Sequence, residues 1–180
     1  MRALADAGVA VMGHIGLCPQ SHAAHGGYRV QGRTADAAQD LLDDALALQA
    51  AGAFAIVLEM VPGPVAQRIT EALNVPTIGI GAGAATSGQV QVFHDLLGLY
   101  DGKMPRFAKR FAALGGVEGP IAEALREYSA HVSARAFPAA EHTFKMRDAE
   151  LEELDRRLSA NKAENSPSDV PKPLKVNGHR

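Results

Sequence analysis

The sequence predicts an α/β fold with a parallel sheet, and three observations lead there. Short apolar runs alternate with stretches of helical periodicity, the order in which strands and crossover helices follow one another. Two of those runs, Val9-Ala10-Val11-Met12-Gly13 and Phe54-Ala55-Ile56-Val57-Leu58, are apolar enough to be buried strands. The helical stretches between them carry capping and stop residues where helices need them.

The opening segment reads as the end of a helix, which Gly8 stops before a strand at about residues 9–14. From Gly16 to Arg33 the chain is glycine-rich and polar, with no periodic apolar pattern. A connector of that length points to a functional, lid-like segment. Thr34 is placed to cap the next helix, whose apolar face is Ala38, Leu41, Leu42, Ala45, Leu46 and Leu48. Gly52 ends it, and the strand that closes on Glu59 follows. Pro64 suits a first helical turn, with Val65, Ile69, Ala72 and Leu73 as the buried stripe and Asn74 as the stop.

Residues 76–81 form a short buried strand, and residues 89–94 alternate at period two and predict another. Residues 82–88 are fewer than the dozen or so that a parallel crossover needs. Either a tight turn replaces the crossover helix, or the last segment is not a simple strand. Helices are expected over 105–114 and 120–136, the second with Ile121, Leu125, Tyr128 and Val132 on one side. A charged helix follows over about 148–159, where Leu151, Leu154 and Leu158 make a docking stripe too short for a coiled coil. From Asn161 on, prolines among polar residues predict a disordered tail. The division is thus a sheet-containing domain over 1–144 and a charged helix with its tail over 145–180. Four such strands do not close a barrel and would leave long unpaired edges. The chain reads as the second half of a larger sheet.

Composition narrows the function classes. A chain of 180 residues can bury one ordinary core, and 47% hydrophobic residues suit a globular domain. A formal net charge of −2, with no aromatic-basic alternation, argues against a nucleic-acid partner. Cys18 is the single cysteine, which excludes an internal disulfide and fits a reducing compartment. No apolar stretch approaches about 20 residues, so no membrane span is expected. The amino terminus lacks the apolar region of a signal peptide, and a soluble cytoplasmic protein is the expectation.

Glu59 is the candidate with the most chemistry in it. A carboxylate closing a buried strand is costly unless it has a partner or a task. Barrel enzymes place their working groups at that end of their strands. His14 closes the upstream run in the same way, so one edge of the sheet gathers two titratable groups. The structural alternatives are a Glu59 paired with an arginine or capping the next helix, and a His14 that is simply hydrogen-bonded. His22 and His25 lack a third ligand in register and read as solvated loop residues. His94-Asp95 fits a turn as well as a pocket. Gly79-Ile80-Gly81-Ala82-Gly83-Ala84 loosely matches a dinucleotide fingerprint, but no helix opens directly from it, so close backbone approach explains the glycines better. Cys18 reads as a spectator thiol.

Several ordered motifs then carry a resemblance. Gly13-His14-Ile15-Gly16-Leu17-Cys18-Pro19-Gln20-Ser21 and Gly26-Gly27-Tyr28-Arg29-Val30-Gln31-Gly32-Arg33 come first. Val57-Leu58-Glu59-Met60-Val61-Pro62 and Ile78-Gly79-Ile80-Gly81-Ala82-Gly83 follow. Ser87-Gly88-Gln89-Val90-Gln91-Val92-Phe93-His94-Asp95 and Glu141-His142-Thr143-Phe144 complete the series. Over roughly residues 5–144 the chain closely resembles the ketopantoate hydroxymethyltransferase family.

The resemblance implies a (β/α)8 TIM barrel enzyme of pantothenate biosynthesis, of which this chain supplies the second half. The implied reaction moves a one-carbon unit from 5,10-methylenetetrahydrofolate to the keto acid 3-methyl-2-oxobutanoate, giving 2-dehydropantoate. Glu59 matches the family's catalytic base and His14 a residue that contacts the keto acid. The family holds its substrate on Mg2+, but its magnesium ligands and a substrate lysine belong to the first half of the barrel. Glu59, Asp95 and Asp101 do not replace that set, so no metal ligand is assigned here. A truncated or split gene product is expected, inactive alone unless a complementing amino-terminal half joins it. The alternative is a non-catalytic half-barrel that associates with itself or another chain. The family also implies a symmetric homo-oligomer.

Overall fold

Gly8, at φ +82°, turns the chain out of α1 (Arg2–Asp6). Val9 N–H is still spent on Leu4 O at 2.9 Å, so residues 7–10 finish the helix end and do not yet enter the sheet. β1 therefore spans Val11–Gly16, two residues later than expected, and His14 stands inside the strand with Gly16 at its end. The computed structural model describes residues 1–21, 27–99, 104–112, 114 and 118–164. Among them, no helix is long and apolar enough to cross a membrane.

α2 (Ala35–Ala50) begins as the sequence predicts: Thr34 Oγ1 accepts Ala37 N–H at 3.2 Å, a cap worth about 1 kcal/mol. Ala35, Ala38, Leu42 and Ala45 are buried, while Leu46 at the margin of the predicted face is exposed. β2 (Ala53–Glu59) follows, then α3 (Gly63–Ala72). α3 buries Val65, Ala66 and Ile69, but Ala72 is its last residue and is exposed. Leu73 is already extended, so the helix stops before Asn74.

β1, β2, β3 (Thr77–Ile80) and β4 (Gly88–Gln89) form one sheet in that order, every pair parallel. Gly13 and Ile15 pair with Ile56 and Leu58, and Ile15, Ile56 and Leu58 meet Leu42, Val65 and Ile69 in the main core. Strand alternation sends Met12, His14, Val57, Glu59, Ile78 and Ile80 to the opposite face. Among the described residues no element covers Met12 there, and it is 47% exposed. The architecture is α/β with four parallel strands, helices on one face and an unclosed sheet. That is the partial barrel the sequence predicts.

The fourth strand is far shorter than the expected 89–94. β3 offers it only Ile78 and Gly79 as partners, and after Val90 N–H reaches Gly79 O at 2.9 Å the pairing ends. The chain turns at Val92 into α4 (Phe93–Leu97). Val90 and Val92 keep a period-two pattern without a buried face, and both are exposed. The crossover from β3 to β4 contains no helix. Side chains hold the turn instead: Thr77 N–H donates to Ser87 Oγ at 3.1 Å, and Ser87 N–H returns to Thr77 Oγ1 at 3.2 Å.

The helix expected over 105–114 does not form among the described residues. Its backbone donors are taken elsewhere: Lys109 N–H by Gln91 Oε1, Phe111 N–H by Leu96 O and Leu114 N–H by Leu97 O. α5 (Glu118–Ser133) does form and packs Ala124 against Leu96 and Leu97. Leu125, one position off that stripe, is exposed. Tyr128 sits edge-on to Phe111, with ring centroids 5.5 Å apart.

α6 (Asp148–Glu164) runs five residues past the expected end at Ser159. Leu154 is 1% exposed and joins the main core, with Leu151 and Leu158 packed beside it. Polar ties fix the helix in place. Arg68 makes two hydrogen bonds to the Asp155 carboxylate, and Glu150 Oε2 accepts Ala35 N–H at 2.8 Å. The tail predicted to be disordered lies, from residue 165 on, outside the described residues.

Candidate active site

The apolar runs that form β1 and β2 set their relative register. Gly16 pairs with Glu59 and His14 with Val57, so His14 and Glu59 sit on one face of adjacent strands. Their side chains meet: His14 Nε2 lies 3.1 Å from Glu59 Oε2. The Glu59 side chain is 15% exposed and that of His14 34%. Burial pushes the Glu59 carboxyl above the usual carboxylate range, and the charge and hydrogen bond of His14 oppose that rise without cancelling it. A carboxylate held this way is a better proton acceptor than a solvated one. The partner of Glu59 is therefore a histidine, not the arginine of the structural alternative.

The backbone around Glu59 is fixed from three sides. Leu17 N–H donates to Glu59 O at 2.8 Å, Met60 N–H to Ile80 O at 2.9 Å, and Gln31 N–H to Met60 O at 2.9 Å. Gly16 makes the first contact possible. Its φ is +87°, and a Cβ there would stand 2.2 Å from Glu59 O. Met60 has φ +49°, a left-handed conformation in a residue with a side chain. None of this strain has a sequence signature beyond the glycine itself, so the residue order does not mark Met60.

The remaining candidates lie apart from the pair. His94 and Asp95 occupy the first turn of α4, and no hydrogen bond or ion pair joins them to Glu59 or His14. Cys18 follows the end of β1, half-buried, with Sγ 3.9 Å from His14 O. Gly79, Gly81 and Gly83 pack against Thr86, Phe107 and the Gly63 backbone respectively. They serve close packing, and no helix opens from them. His22, His25 and Asp101 lie outside the described residues. A cleft of about 440 Å³ between α3 and α6 is lined by Arg68, Glu71 and Asp155. Its arginine is already paired with Asp155, and neither Glu59 nor His14 lines it.

Magnesium favours octahedral coordination by oxygen. Among the described residues no three His, Cys, Asp or Glu side chains converge as a metal site, and Glu59 with His14 offers one carboxylate and one imidazole. These residues alone do not fit a magnesium ion.

A family profile described as ketopantoate hydroxymethyltransferase matches residues 1–140. The chain belongs to that family. Among its relatives, an enzyme of Nitratidesulfovibrio vulgaris (strain DP4) is 56% identical over 161 residues, covering 87% of this chain and 52% of the relative. One of Chloroflexus aurantiacus (strain J-10-fl) is 59% identical over 148 residues, or 82% and 51% of the two chains. One of Deinococcus radiodurans (strain R1) is 52% identical over 154 residues, or 86% and 53%. All three bear the name 3-methyl-2-oxobutanoate hydroxymethyltransferase. The chain spans about half the length of these curated relatives, which agrees with an unclosed four-stranded sheet from a ketopantoate hydroxymethyltransferase barrel.

Proposed function

We propose that this chain contributes the proton-abstracting side of a ketopantoate hydroxymethyltransferase site. The observation that carries the reading is a carboxyl made more basic by burial, held beside His14 where a parallel strand ends. In this reading Glu59 takes the proton from the carbon next to the carbonyl of 3-methyl-2-oxobutanoate, and the electron pair moves onto the carbonyl oxygen. His14 engages Oε2, so Oε1 is the oxygen that receives the proton. His14 also contacts the keto acid. The enolate carbon then bonds to the one-carbon unit of 5,10-methylenetetrahydrofolate as its bonds to the folate nitrogens break; water supplies the hydroxyl oxygen, tetrahydrofolate leaves, and 2-dehydropantoate results. Groups that steady the enolate oxygen come from the rest of the barrel, and so does any magnesium site.

The test joins this chain to the part of the Nitratidesulfovibrio vulgaris relative that it does not span. Exchange of the substrate's C3 proton for deuterium, followed by NMR, reads the first step without the folate donor. Replacing Glu59→Gln is expected to slow exchange by about 10²–10⁴-fold. Undiminished exchange in that variant would sink the assignment. The chain by itself is expected to give no exchange.

A second reading makes the chain a binding half with no chemistry of its own, and the unpaired sides of β1 and β4 favour it. Under that reading the joined barrel folds and binds the keto acid, yet Glu59→Gln changes nothing.

A further inference from the structure

Met60 stands directly after the proposed base in a conformation that residues with side chains rarely adopt. A left-handed φ of this kind costs on the order of 1–3 kcal/mol and persists only where the surroundings impose it. Here three hydrogen bonds impose it, from Leu17 N–H to Glu59 O, from Met60 N–H to Ile80 O and from Gln31 N–H to Met60 O. The consequence falls on the next residue. In a strand that simply continued, Val61 would project to the same face as Glu59 and stand beside its carboxylate. The left-handed turn sends Val61 the other way, into the main core at 0% exposure, and Pro62 then opens α3.

We infer that Met60 is a positioning residue: its left-handed backbone keeps Val61 off the Glu59 carboxylate and leaves that side of the carboxylate open to the keto acid. This rests on Glu59 being the base. The strain is thus spent on clearing one side of a carboxyl group whose other side His14 occupies. The sequence alone hides the device, because Glu59-Met60-Val61-Pro62 looks like the plain exit of a strand.

The experiment compares Met60→Val with Met60→Asn in this chain and in the joined barrel described above. A β-branched residue is at its worst in the left-handed region, whereas asparagine tolerates it. In Met60→Val the turn is expected to open. The Glu59 carboxyl, followed by ¹³C NMR against pH, then titrates differently from wild type, and C3 exchange falls on the order of 100-fold. Met60→Asn is expected to keep both the wild-type titration and the wild-type exchange rate. A folded Met60→Val with both readouts unchanged overturns the inference. Should Met60→Val not fold, Met60→Thr serves, since its branch at Cβ disfavours the same torsion while its hydroxyl is better tolerated near the surface. A wild-type titration and exchange rate in Met60→Thr overturn the inference equally, and a changed titration with slower exchange supports it. If Glu59→Gln keeps full exchange, it is the base assignment that fails, and the titration in this chain still decides whether Met60 positions the carboxyl.

Discussion

Glu59 and His14 are coupled, and the sign of that coupling can be measured. Burial raises the Glu59 pKa, and both contributions of His14 lower it. Removing the imidazole by His14→Ala therefore sends the carboxyl pKa further up, a shift that ¹³C NMR of the labelled side chain reads directly. A fall, or no change, contradicts the contact seen here. The same displacement has a stability consequence. A carboxyl whose folded-state pKa is raised favours the fold while it is protonated, and that contribution is lost as pH rises through the folded value. Glu59→Gln is thus expected to melt higher than wild type at neutral pH, with the difference shrinking as the buffer is made acidic. The sequence made this pair findable, since an acid and a histidine late in two apolar runs are visible in the residue order. Their hydrogen bond was not, because it depends on a strand register that shifts between Val11 and Met12.

Individual elements show where a sequence pattern decides structure and where a neighbour does. α2 formed as its Thr34 cap and apolar face predict, because both signals are local. The segment over 105–114 carries helical residues but lost its backbone donors to Gln91, Leu96 and Leu97, partners that no local pattern announces. Residues 89–94 alternate like a strand, yet β3 is only four residues long and has no more edge to offer. Gly16 is the tightest point of the site's frame. Gly16→Ala adds a methyl 2.2 Å from a carbonyl oxygen at φ +87°. The strained torsion alone costs about 1–3 kcal/mol, and the clash adds to it. Urea denaturation should show a loss at or above the upper end of that range. Leu154→Ala tests the docking of α6. Truncating a leucine this buried typically costs about 2–5 kcal/mol, and a loss below about 1 kcal/mol would falsify its place in the core.

At the scale of the whole molecule, two edges of the sheet stay unpaired among the described residues, β1 on one side and β4 on the other. Exposed apolar side chains gather there: Met12 on β1, and Val90, Val92 and Phe93 after β4. Such edges template pairing with other chains. The 180-residue chain by itself is expected to sediment as associated species, and addition of the remaining part of the relative's barrel should replace them with one complex of defined mass. A clean monomer at high concentration contradicts that expectation. The open sheet was legible in the sequence because four strands are too few to close. How the crossover before β4 dispenses with a helix is not legible in the sequence, since it depends on hydroxyls of Thr77 and Ser87 meeting across ten residues.

The tie between α6 and the start of α2 has a kinetic meaning. Glu150 and Ala35 are 115 residues apart in the chain and touch through one hydrogen bond. Contacts between such distant residues close the largest loops and are entropically the slowest to form. The amide proton of Ala35 is thereby a local clock: when α6 lifts away, this proton loses its acceptor and begins to exchange with solvent while the sheet stays protected.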